Sequence, residues 1–386
     1  MTTEARARYV ADISFPPAVS PHPDGGQRSG PYDDDQEVDN PLPDRPCQDL
    51  RSAGLQRGER KRGMWPFRRG SKQVAVPTLI VDPAEGDPTA RALREASERR
   101  DWGAIRDLLT PVTDPDDHAF YVSVLANTDG LQDWIGEWVE AEPRSTLPVL
   151  VRGAHAVYWA WEARSSARAS QVSQDQFKEF WRRLRLAENS LDEVADRDPG
   201  DTTARTFLVT SARGRQVDRE EANRRFDEVV VRHPWHRIAH EQMLQYRCHK
   251  WFGSHEEMFD FAREAVAKSP AGSPLGHLVV VAHLEKWLDL PVGEDEEYLD
   301  DDALRAEINA AADHSVRHAD YRRRPGWASV HNTFAMGFSK VGDLRSAAGQ
   351  FEVIGDQVTS WPWQYINSNP VIPFVAWRDD AMAAED

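Results

Sequence analysis

Cysteine is nearly absent: Cys47 and Cys248 are the only two in 386 residues. Thiols so few and so far apart exclude a disulfide framework and a thiolate metal cage, and they suit a reducing, cytoplasmic compartment. No stretch approaches the ~20 apolar residues of a membrane-spanning helix, and Met1–Val19 lacks the apolar segment of a cleavable leader. Positive charge is also short, with 47 Lys and Arg against 64 Asp and Glu, a net charge of −17. That balance works against binding nucleic acid or an anionic membrane, so neither is expected as a partner. A G-x-S-x-G elbow, a G-x-x-x-x-G-K-[ST] phosphate loop and a G-x-G-x-x-G turn are all missing. The expectation is a non-catalytic protein without a cofactor.

The first 63 residues are rich in Pro, Gly, Asp and Arg, as in Pro21-His22-Pro23-Asp24-Gly25-Gly26. Such text buries too little apolar area to offset ordering entropy of roughly 1–2 kcal/mol per residue. With the short run up to residue 86, it reads as a disordered N-terminal extension and linker. Met64 begins different text, Met64-Trp65-Pro66-Phe67, and is a candidate translation start. Residues 1–63 carry 9 basic and 11 acidic side chains, so −15 of the charge belongs to residues 64–386.

From Asp87 the pattern is helical. Met258, Phe261, Ala262, Ala265 and Val266 recur at helical spacing, and Ala222, Phe226, Val229 and Val230 repeat the stripe. Alternation of period two, the mark of half-buried strands, does not appear. Ser254 and Asp218 each precede a Glu by three residues, as in a capping box. Asp87-Pro88 and Ser273-Pro274 place a cap before proline at the first helical position. Gly253 is expected to end a helix in a left-handed conformation.

Pro199, Pro234 and Pro270 each separate two amphipathic helices at intervals of 35 and 36 residues, close to the ~34-residue helix–turn–helix repeat. Ala187 and Leu191, Ala222 and Phe226, then Met258 and Ala262 stand 12 and 8 residues before them. Asp101-Trp102-Gly103-Ala104 with Leu108, and Gly342-Asp343 with Ala347 and Phe351, continue the pattern. On these residues the chain resembles the tetratricopeptide repeat superfamily. The resemblance implies an all-α fold, a degenerate helical-repeat solenoid over residues 87–358. Thr210 and Tyr246 depart from the small-residue pattern, and insertions come after Gly153 and Pro270. Residues 359–386, with Trp361, Trp363 and Trp377, read as an aromatic, proline-rich segment in which three prolines in twelve residues forbid a continuous helix. It either caps the last repeat or lies in the groove.

Under that resemblance the groove is lined by Thr206, Thr210 and Arg213, then Glu241, Gln245 and His249, then His277 and Glu285. A polar strip of this kind suits an extended peptide, so the expected function is a scaffold for a protein or peptide partner. His236 with His240, and His314 with His318, share helix faces and form the alternative, a metal-dependent enzyme or regulator. The plainer reading is that these imidazoles cap repeat junctions or face solvent, with no metal bound. Glu294–Glu297 and Asp300–Asp302 read as a solvated insertion ending at a helix N-terminus, and Cys248 as a buried structural thiol. A third alternative is a small-molecule sensor with a Trp-lined pocket closed by the C-terminal segment.

Overall fold

A computed structural model of the chain describes residues 79–164, 173–291 and 293–384, and they contain sixteen α-helices and no strand. The expected disorder of residues 1–63, and Met64, lie outside the described residues. Among those described, no helix is long and apolar enough to cross a membrane.

The helices are α1 (Pro88–Glu98), α2 (Trp102–Leu109), α3 (Pro115–Ala126), α4 (Ile135–Ala141), α5 (Leu147–Arg164), α6 (Gln174–Arg197), α7 (Thr202–Arg215) and α8 (Arg219–Val230). The second half comprises α9 (Arg237–Tyr246), α10 (His255–Lys268), α11 (His277–Asp289), α12 (Glu294–Leu299), α13 (Asp302–His314), α14 (Trp327–Lys340), α15 (Leu344–Ile354) and α16 (Val371–Ala383). Caps set the boundaries. The side chains of Asp87, Asp218 and Ser254 accept from the amides of Ala90, Glu221 and Glu257, satisfying donors that the first helical turn leaves unpaired. Asp301, closing the acidic insertion, caps α13 in the same way. Gly253 departs from expectation. It is absent from the glycines with positive φ, but a Cβ there would lie 2.1 Å from the Arg247 carbonyl oxygen, so close backbone approach is what demands glycine.

Apart from the acidic α12, which buries no residue, the helices bury apolar residues against neighbours in the chain. Contacts run from α5 to α6, α6 to α7, α7 to α8, α8 to α9, and α10 to α11, while α5–α7, α7–α9 and α9–α11 also touch. Ala187, Leu191, Ala222, Met258 and Ala262 are all buried at these crossings. The folded body also meets itself end to end. α3 touches α5, α7 and α9, and Arg324, just before α14, bonds Asp114 and Asp117 of the α3 N-terminus at 2.8 and 2.7 Å.

Both flanks of the helical body are packed onto it. Residues 79–86, counted with the extension, are packed: Ala84 is buried, and a Cβ on Gly86 would lie 2.4 Å from Gln357 Oε1. In the C-terminal segment, whose prolines were expected to forbid a continuous helix, a short turn at Trp363–Tyr365 is followed by α16 only after Pro370. Pro370 is its N-cap and Pro373 lies in its first turn, positions where a missing N–H breaks no helical bond. Trp363 is fully buried against Phe351, Phe374 and Trp377, and its indole N–H donates to Asn332 Oδ1 at 2.7 Å.

Candidate functional site

Helical spacing places Arg237, Glu241 and Gln245 along one face of α9, and His277, Val281 and Glu285 along one face of α11. The two rows meet rung by rung. Glu241 Oε1 lies 2.9 Å from His277 Nε2, and Gln245 Nε2 donates to Glu285 Oε1 at 2.8 Å. Within α9, Arg237 Nη1 donates to Glu241 at 2.9 Å. At the far end Lys250 Nζ lies 2.7 Å from Glu285 Oε2, and the Tyr365 hydroxyl donates to Glu285 Oε1 at 2.6 Å. A polar ladder thus runs through the interior and ends on the C-terminal segment.

Beside it lies a cavity of about 150 Å³. Glu85, Arg237, Glu241, Gln245 and His277 line its polar side, while Phe120, Tyr158, Leu278, Val281 and Trp361 supply apolar surface. Glu85 arrives from the turn before α1 and accepts from the Ser329 amide at 3.3 Å. Trp361 arrives from the segment before α16. Segments from both ends of the described body therefore line the same cavity, and the C-terminal segment packs on α15 and reaches inward.

The carboxyls of this site differ in charge state. Burial pushes Glu85 up to about 7 against the pull of Arg237. Burial works the same way on Glu241, but Arg237 and His277 overcome it and hold the group at about 2. Near neutrality Glu85 can donate or accept a hydrogen bond, whereas Glu241 only accepts. Arg213, buried and lowered to about 9 by burial, donates from Nη2 to Gln242 Oε1 at 2.7 Å.

Of the eight residues expected to line a groove, Glu241, Gln245 and His277 line the cavity, Glu285 completes the ladder, and Arg213 joins through Gln242. Thr206 and Thr210 are buried and donate to the carbonyls of Thr202 and Thr206 in their own helix. His249 lies apart and exposed, 2.8 Å from Asp289 Oδ2. Glu85 and Arg237 were not among the expected residues, and of these only Arg237, one turn before Glu241, carried a signal in its spacing; Trp361 belongs to the segment expected either to cap the last repeat or to lie in the groove.

The four histidines of the metal alternative are spent on structure. His236 is the N-cap of α9, and its Nδ1 accepts from the Ala239 amide at 3.3 Å. His240 Nδ1 bonds the His236 carbonyl at 2.8 Å. His314 Nε2 bonds the Ser269 carbonyl at 3.1 Å, and His318 Nδ1 accepts from the Asp320 amide at 3.2 Å. Cys248 is buried, and burial pushes its thiol well above the ordinary range, which fits the structural reading. Compared with known protein families and with curated proteins, the chain matches none.

Proposed function

We propose that this chain is a degenerate tetratricopeptide-like array whose interior binds one small molecule, making it a non-catalytic sensing module. The observation that carries the reading is one mostly apolar cavity with a polar side, lined by Glu85 from one end of the body and Trp361 from the other. A volume near 150 Å³ is about that of an engineered cavity which accepts benzene. The fitting ligand is therefore a single small ring or branched chain with one hydrogen-bonding end. Its apolar body rests on Phe120, Val281 and Trp361, and its polar end meets Glu85, Glu241 and His277. Binding ties the two ends of the body together, which gives a sensor its output. An extended peptide in the same interior finds less support, because Thr206, Thr210, Gln245 and Glu285 are buried and already bonded.

The test is a thermal-shift screen of the full chain against small ring-bearing amines, alcohols and amides, run beside Val281→Phe, which fills the cavity. At a hundredfold excess over Kd a ligand adds about 2.7 kcal/mol, so the wild type is expected to gain several degrees and Val281→Phe none. No stabilising compound, or equal stabilisation of both proteins, would sink the reading.

A further inference from the structure

Three helix ends converge on the outer side of the loop that joins α9 to α10. His249 comes just after α9, His255 opens α10 and Asp289 closes α11. Asp289 Oδ2 lies 2.8 Å from His249 Nδ1 and 3.0 Å from His255 Nε2, and the three atoms all fall within 4.8 Å of one another. Among the described residues these two imidazoles are the ion-pair partners of Asp289. Two ring nitrogens and a carboxylate oxygen so arranged are the donors of a three-residue transition-metal site with room left for water.

The loop holds this geometry. Gly253 packs against the Arg247 carbonyl, the Gly253 amide donates to the Cys248 carbonyl, and Ser254 caps α10 one residue before His255. Trp251, between the two histidines, is buried. His255 is thus fixed at the start of a helix, while the exposed His249 ring is free to rotate onto an ion. For metal–ligand bonds of roughly 2.0–2.2 Å, ligand atoms about 3 Å apart need little movement. Imidazole donors select against calcium and magnesium, which take oxygen ligands.

We propose that His249 Nδ1, His255 Nε2 and Asp289 Oδ2 bind one zinc ion, with water completing the coordination. The ion clips the ends of α9, α10 and α11 beside Lys250, which holds Glu285 in the interior ladder. Equilibrium dialysis of the full chain with zinc at pH 7.5 measures uptake, and cobalt(II) added in its place reports ligation through its visible absorption. The expected result is one equivalent of zinc, bound at least tenfold more weakly by His255→Ala and by Asp289→Asn and unchanged by His314→Ala. A cobalt spectrum of the wild type that shows nitrogen and oxygen ligation supports the site even where a variant folds poorly. Absence of saturable uptake by the wild type, or uptake that the two variants leave unchanged, overturns it.

Discussion

Ionised Glu–Arg pairs occur on the outside of this protein and in its interior, with the same spacing and different physics. Outside, Glu179 bonds the exposed Arg182 and Glu221 the exposed Arg224, and each glutamate also bonds a largely covered arginine, Arg183 or Arg225. Hydrogen bonds from the arginines hold both glutamates at about 2. Inside, Glu241 also stands at about 2, but there burial is the largest influence and raises it, so Arg237 and His277 must prevail. A shared pKa therefore conceals different energies. An exposed pair exchanges water for a partner at little net gain; a buried pair leaves an uncompensated charge when one member is lost.

The largest effect should come from breaking the interior pair. Glu241→Ala leaves Arg237, almost wholly buried, without its closest carboxylate. A loss of about 3–5 kcal/mol is expected in urea denaturation, and the double change Arg237→Met with Glu241→Leu should recover most of it. A loss below ~1 kcal/mol for Glu241→Ala would erase the distinction between inside and outside.

Next in size is the pH dependence of Glu85. Its pKa is raised from 4.5 to about 7 on folding, so between those values the folded state binds more protons than the unfolded one. Stability should accordingly fall as pH rises from 4.5 to 7, by on the order of 2–3 kcal/mol, and level off above. Glu85→Gln should flatten that part of the stability profile; an unchanged slope would place Glu85 in a more watery setting. The smallest effect belongs to the surface. Glu179→Ala should cost less than about 1 kcal/mol and lose most of that in high salt, as chemical denaturation with and without sodium chloride will report.

Much of the helical architecture was legible because helix ends carry their own chemistry. Asp87, Asp218 and Ser254 cap the helices that their spacing marks, and Pro199, Pro234 and Pro270 fall in the loops between helices. The ladder was partly legible too, since Glu241 and Gln245, like His277 and Glu285, stand one or two turns apart on a helix face. What escaped depends on distant contacts. Glu85 lies in text that reads as linker, and its setting is made by Ser329, 244 residues away. Asp289 meets His249 and His255 only because α11 ends beside the α9–α10 loop. The segment around Trp361 has an apolar composition that fits either a cap or a groove, and the packing of Trp363 on Phe351 and the reach of Tyr365 to Glu285 depend on contacts that composition does not reveal.

The central claim is that the cavity lined by Glu85 and Trp361 is a binding site. Titration calorimetry of the best stabilising compound against wild type and Val281→Phe tests it most directly. The account predicts one saturable site in the wild type and binding at least tenfold weaker in the filled variant; equal affinity for the two proteins would contradict it.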